Sequence, residues 1–301
     1  MSTKKASRKI EPPDCYARAQ LIAAEVDLIR QEMGRPQERR PAPVVKGAAP
    51  REVYFQALSL FRKADRLCYE ITGDQLASIP HAPPISAIEP GDVLGVLDAA
   101  LREVSETKQR LGITEDAKEP KRDASKVPSD VFGACLGVTR QLNLLLERPF
   151  APGDVYQQVS LAVAYTGRLL SAFPSIDSQP DLPAFKRRQR PADCYDRLST
   201  CVTTLQKVVA RSGLQVMQQA PERPGDGNEV VPGDVYDIAS LALAEVAFLH
   251  AHQSDSNPPY PFEANVPGRK LPSHVFQLAG VLETQLNALA KQVEKKPNWL
   301  L

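Results

Sequence analysis

A five-residue pattern recurs eight times along this chain: proline, any residue, an acid, valine or cysteine, then a large apolar residue. The copies begin at Pro12, Pro50, Pro90, Pro128, Pro152, Pro191, Pro232 and Pro272. Pro152-Gly153-Asp154-Val155-Tyr156 is representative, and His274 replaces the acid in the last copy. The chemistry is that of a helix start. Proline is tolerated in the first turn because its missing N–H would be unpaired there. The acid can accept orphan backbone N–H groups and offset the positive end of the helix dipole. The pattern leaves open whether the acid is the N-cap or lies just inside the helix. His274 should give a weaker start, or ligate something.

Counted from each proline as zero, apolar or small residues return at offsets 3, 7, 10, 14 and 17, as in Cys15, Ala19, Ile22, Val26 and Ile29. Steps of four and three make one buried helical face. Offset 7 is often alanine (Ala19, Ala57, Ala239, Ala279), which lets neighbouring helices approach closely. Glycines Gly34, Gly73, Gly112 and Gly213 follow the periodic stretches, where helices commonly end. Each helix should therefore be about 20 residues long and ~30 Å in length. The chain carries 27 prolines, and none falls between offsets 2 and 17 of any repeat.

The step between motif prolines is short only from Pro128 to Pro152, so the copies divide four and four. The fourth and eighth copies match most closely, with Gln141-Leu142-Asn143 against Gln285-Leu286-Asn287. The expected fold is all-α: eight proline-started amphipathic helices in two tandem, internally duplicated four-helix units. The expected divisions are a disordered segment over 1–11, unit one over 12–150 and unit two over 151–301. A sharp reversal or domain joint belongs near 149–152. The other linkers are long for a compact domain. An extended chain of about 16 residues reaches ~50 Å, so the linkers could return along the bundle and make neighbouring helices parallel. The usual bundle arrangement is instead up-and-down. Sequence does not choose between them.

Lys+Arg 37 against Asp+Glu 36 gives a net charge of +1, which argues against bulk-charge nucleic-acid binding. No apolar stretch is long enough for a membrane span. The charged N-terminus lacks an apolar signal core, so the expected location is cytoplasmic, or periplasmic if a signal was removed. The five cysteines include no CxxC pair and read as reduced, buried thiols. His250 and His252 are i, i+2 and do not share a helix face. No metal site, cofactor motif or catalytic constellation is legible.

Two sets of residues stand out as candidate binding positions. Offset 13 flanks the apolar seam and is often polar, and the offset-4 residue is usually aromatic. From these come the ligand-binding candidates Glu25, Glu103, Glu245, Gln285, Tyr165 and Tyr236. The bland alternative is interhelical hydrogen bonding at seam flanks. The run Lys186, Arg187, Arg188 and Arg190 is a candidate anion site just before the sixth helix. The C-terminal Trp299-Leu300-Leu301 either folds back onto the bundle or meets a partner.

A regular repeat without catalytic groups points to a non-enzymatic scaffold or structural component with a protein partner. The alternatives are a small-ligand sensor with a site between helices, and an enzyme. A sensor would show a cavity with convergent polar groups. An enzyme would show clustered groups with shifted pKa values. Two outcomes are expected. The duplication predicts that helices one to four superpose on helices five to eight. The helix-start reading predicts that Asp234→Ala costs about 0.5–2 kcal/mol, read as a lowered unfolding midpoint.

Overall fold

The computed structural model describes residues 9–40, 44–74, 83–219, 230–253, 268–296 and 299–300. The described part is all-α, with eight long helices. They are α1 (Pro12–Glu32), α2 (Pro50–Thr72), α3 (Pro90–Arg110), α4 (Pro128–Leu145), α5 (Pro152–Ser171), α6 (Pro191–Arg211), α7 (Pro232–Ala251) and α8 (Pro272–Lys295). Two short strands, β1 (Val45–Lys46) and β2 (Gln218–Gln219), and one 3-10 turn (Ile85–Ala87) complete the regular structure described. The first part of the 1–11 segment, expected to be disordered, lies outside the described residues.

Every helix begins on its motif proline, and the acid is the third helical residue. The preceding residue is the N-cap, and its N–H donates to the acid at 2.7–3.1 Å in seven of the eight helices. This is half of a capping box. The N-cap side chains themselves make no cap hydrogen bond. At α8 the histidine keeps the geometry, with His274 Nδ1 accepting from Leu271 N–H at 3.0 Å. Helix ends also match expectation. Gly34, Gly112 and Gly213 have φ of 61°, 74° and 74°. Each follows a helix whose last carbonyls are closed by paired reverse bonds such as Gly34 N–H to Gln31 O and Arg35 N–H to Arg30 O. Glycine suits this left-handed position because it has no Cβ to clash.

The seam positions are buried as the repeat requires. Ala19, Ile22, Val26 and Ile29 in α1, and Leu198, Cys201, Leu205 and Val208 in α6, have no exposed surface. In the first bundle α1 packs on α3 and α4, and α2 packs on the same two helices. In the second, α5 packs on α7 and α8, and α6 packs on the same two. Helices consecutive within a bundle thus sit on the diagonal, except α2–α3 and α6–α7.

Both bundles are parallel. The starts of α5, α6, α7 and α8 meet at one end, where Val155, Cys194, Val235 and Val275 line a small apolar pocket with their prolines. In the first bundle Cys15 Sγ meets Pro90 O at 3.2 Å, joining the starts of α1 and α3. Ala48 N–H donates to Ser129 Oγ at 3.1 Å, joining the starts of α2 and α4. The 111–127 linker therefore runs back along the bundle. Parallel helices place four positive dipole ends side by side, and three aspartates in each bundle (Asp14, Asp92 and Asp130; Asp154, Asp193 and Asp234) offset this.

The linkers are tied down as they return. Gln141 Oε1 accepts from Glu38 N–H at 2.8 Å, and its amide donates to Pro36 O at 3.1 Å. Glu25 accepts from Ala117 N–H at 3.1 Å, and Gln285 donates to Ser178 O at 2.8 Å. Lys126 caps the Tyr16 ring at 4.8 Å, and Lys270 caps Tyr156 at 4.7 Å. Trp299 folds back, donating from Nε1 to Ser212 Oγ at 2.9 Å and packing on Phe173.

The short 146–151 connection reverses the chain. Arg66 near the end of α2 pairs with Asp154 at the start of α5 at 3.2 Å. The second bundle then runs antiparallel to the first, packed through α2 and α7. β1 pairs antiparallel with β2, linking a linker of each bundle. Gly47 is required beside it: its φ is 68° and a Cβ there would lie 2.9 Å from Val216 O.

Asp234 does more than start α7. It also accepts from Arg40 at 3.1 Å and is nearly buried. Asp92 makes the same cap contact to Glu89 N–H at 2.8 Å. Asp92→Ala should cost about 0.5–2 kcal/mol. Asp234→Ala should cost roughly 1.5–3 kcal/mol more, because a hydrogen bond to a charged group goes with the cap. Paired urea denaturation curves check the difference.

Candidate functional site: the seam between the bundles and its flanks

Most helices bury one face, but α7 buries nearly all of its circumference because the first bundle covers the side its own bundle leaves open. Its sequence is apolar all round, as such a helix requires. The exceptions on that side are acids, and α2 supplies their partners. Lys63 has no exposed surface, and its Nζ donates to Asp237 Oδ2 at 2.7 Å, Asp237 Oδ1 at 2.9 Å and Gly233 O at 3.3 Å. Burial raises the Asp237 pKa, and the Lys63 charge opposes that rise.

One helical stretch away, Arg51 reaches Gln215 O at 2.8 Å and Glu245 at 3.5 Å. Its guanidinium lies 3.6 Å from the centroid of Phe248. Glu52 is fully buried and accepts from Ala49 N–H at 2.8 Å. Its carboxyl also meets that of Glu245. Burial and the Glu245 charge push the Glu52 pKa up to about 9, against the pull of Arg51. Two carboxyls in one dry site cannot both ionise cheaply, so Glu52 holds a proton at neutral pH.

The seam holds a partly open pocket of about 40 Å³ bordered by Gln56, Arg140, Tyr195, Asp234 and Asp237. A water molecule needs ~10–15 Å³ of such space, so the pocket has room for a few waters. A larger cleft of about 470 Å³ opens where α2 meets the α4–α5 turn. Arg62, Asp65, Arg66, Tyr69 and Tyr236 border it. Arg62 donates to the Tyr236 hydroxyl, while Arg66 pairs with Asp154 and lies 4.2 Å from the Phe150 ring centroid. Asp65 Oδ1 is buried without a hydrogen bond, and burial raises the Asp65 pKa against the Arg66 charge.

The six ligand-binding candidates do not gather in one place. Glu25 is bound by Lys108 Nζ at 2.5 Å and clasps a linker. Gln285 clasps the equivalent linker of the second bundle. Glu103 is buried beside Cys68 between α2 and α3, its pKa raised chiefly by desolvation. Glu245 belongs to the Arg51–Glu52 cluster. Tyr165 packs edge-on against His250 at 5.3 Å between centroids, and Tyr236 alone lines the cleft. The anion-site candidates Lys186, Arg187, Arg188 and Arg190 are all exposed on the linker before α6. Arg190 is the N-cap residue of α6 and lies 4.0 Å from Asp193.

Lys63 also stands at offset 13 of its repeat, but nothing local in the sequence identifies its partner or joins Arg51, Glu52 and Glu245. The available signal was α7 itself, where Asp237 and Glu245 interrupt an otherwise apolar surface. The five cysteines are free and buried. The Cys15 and Cys194 thiols are pushed up to about 12, mainly by burial, so neither is a thiolate nucleophile at neutral pH. His252 Nδ1 lies 2.8 Å from Phe248 O, while His250 is buried, and His81 lies outside the described residues. Among the described residues no group of three or more His, Cys, Asp or Glu side chains could hold a metal ion. No described helix is long and apolar enough to cross a membrane. No protein-family model, curated protein or solved structure matches this chain.

Two outcomes follow for the seam. Lys63→Ala should destabilise by about 3–5 kcal/mol, because it strands Asp237 as a buried charge. The double variant Lys63→Met with Asp237→Leu should recover most of that loss in chemical denaturation. Glu52 binds its proton more tightly folded than unfolded, so stability falls as pH rises from the ordinary carboxylate range toward 9. Glu52→Gln mimics the protonated form. It should flatten that fall and raise the melting temperature above the parent's at pH 8.

Proposed function

We propose that the chain is a non-enzymatic interaction scaffold for a protein partner, built from a duplicated parallel four-helix unit. One observation carries the reading: polar side chains beside the repeat seam bind linkers or the other bundle. Gln141, Gln285 and Glu25 hold linkers, while Lys63 and Glu245 join the two bundles. They do not converge on a chamber in which a substrate could be held. What such an arrangement delivers is a stiff body with fixed surfaces.

The duplication is supported by contacts that recur at equivalent positions. The two halves share one pattern of helix neighbours. The serine after the fourth proline clasps the backbone before α2 (Ala48 to Ser129, 3.1 Å), and the serine after the eighth does so before α6 (Gln189 to Ser273, 3.2 Å). The Lys126–Tyr16 and Lys270–Tyr156 contacts form a second such pair.

The second reading is a small-ligand sensor. It is favoured by the cleft of about 470 Å³, which falls in the ~300–1,000 Å³ range of ligand sites. Native mass spectrometry of protein isolated from its source separates the two. The scaffold reading expects a co-purifying polypeptide. A co-purifying small molecule lost on Arg66→Ala substitution would favour the sensor and overturn the scaffold.

A further inference from the structure

Two opposite charges on α2 border one cleft without pairing with each other. Arg62 and Asp65 both line the opening of about 470 Å³ between α2, the α4–α5 turn and the start of α7. They stand three residues apart, a spacing at which helix side chains are neighbours and oppositely charged ones can pair. No such pair forms. Arg62 reaches across the seam instead and donates to the Tyr236 hydroxyl, a neutral acceptor. No carboxylate lies within ion-pair distance of Arg62 among the described residues. Asp65 is likewise without an ion pair among them, and its Oδ1 is buried with no hydrogen bond. A buried acceptor without a donor is destabilising.

The neighbouring charges are already engaged. Arg66 holds both carboxylate oxygens of Asp154, at 3.2 and 3.3 Å, and lies 4.2 Å from the Phe150 ring centroid. Tyr236 is buried and packs on Phe150 with 4.5 Å between centroids. Its hydroxyl is thus a fixed post that draws Arg62 away from Asp65. The arrangement is not part of the repeat. At the same offsets the sixth repeat has Thr203 and Gln206, which donate to Ser199 O at 2.9 Å and Met217 O at 2.8 Å. The second repeat therefore keeps a cation and an anion where the sixth has neutral side chains with local partners.

We propose that the cleft binds a small zwitterion of the amino-carboxylate class, a free amino acid being the simplest, with its carboxylate on Arg62 and its ammonium on Asp65. The inference rests on the sensor reading and names the ligand's chemistry. Hydrogen bonds to charged groups at both ends are the strong kind, and the ligand supplies the two partners that α2 and α7 leave missing. A phosphate or nucleotide fits less well. Asp154 already neutralises Arg66, so the cleft has one free cation, and Asp65 and Asp154 repel a multiply charged anion. A simple amine leaves Arg62 unanswered, and a simple carboxylate leaves Asp65 so. The half-exposed Tyr69 ring borders the same cleft and gives the ligand's side chain an apolar surface.

Isothermal titration calorimetry of the full chain against the common free amino acids tests this. At least one should bind saturably, and its N-acetyl and carboxamide forms should bind at least about tenfold more weakly. Arg62→Met and Asp65→Asn should each weaken it by at least about tenfold without lowering the melting temperature. In Asp65→Asn the further penalty from N-acetylation should disappear, because the group that reads the ammonium is gone; a merely structural role for Asp65 would leave that penalty intact. A chain that binds none of the amino acids, or binds the capped forms as well as the free ones, overturns the proposal. If all of them fail while native mass spectrometry shows another small molecule that is lost on Arg66→Ala, the zwitterion is wrong and the sensor reading stands.

Discussion

The structure depends on a constraint set by parallel helices: each linker must carry the chain the full length of a bundle before the next helix can begin. A helix of about 20 residues is ~30 Å long, so a tight turn cannot serve. The returning backbone has polar groups that need partners along the way. Gln141, Gln285 and Glu25 provide them from the flank of the seam, and Lys126 and Lys270 add contacts to aromatic rings near the helix starts. The polar residues that interrupt the repeat are therefore part of how a parallel bundle is closed.

The same arrangement explains why each start is so heavily specified. Four helix N-termini lie together at one end of a bundle, and their positive ends would reinforce one another. An aspartate at the third position, as in six of the eight described helices, both satisfies the N-cap amide and supplies local negative charge. The two bundles then meet head to tail through α2 and α7. That contact is stabilised by apolar packing and made selective by Lys63–Asp237 and the Arg51–Glu52–Glu245 cluster. Buried charge adds little net stability over apolar packing. What it provides here is register: sliding α2 along α7 would strand Lys63 and Asp237 in a dry interface.

Much of this was legible in the residues. Helix starts, seam positions and glycine ends could be read directly, because they are local: proline, acid and glycine act within a turn of where they stand. The sharp reversal after α4 followed from the one short spacing. The candidate site was far less legible. Offset 13 was correctly singled out as polar and near the seam. Its residues turned out to serve separate neighbours, because which linker passes over a given helix depends on bundle order. Glu245 could not be connected to Glu52, nor Lys63 to Asp237, since nothing local links residues that far apart in sequence.

Sequence by itself determined the elements: eight helices, their limits, the face each buries and the division into four and four. These follow from steric and hydrogen-bonding rules that operate over a few residues. Tertiary structure decided the rest: parallel rather than up-and-down order, the antiparallel docking of the bundles, and the fate of each buried charge. Those outcomes depend on which surfaces meet after the chain has travelled ~50 Å, and a repeat that writes nearly the same instruction eight times does not encode the difference locally.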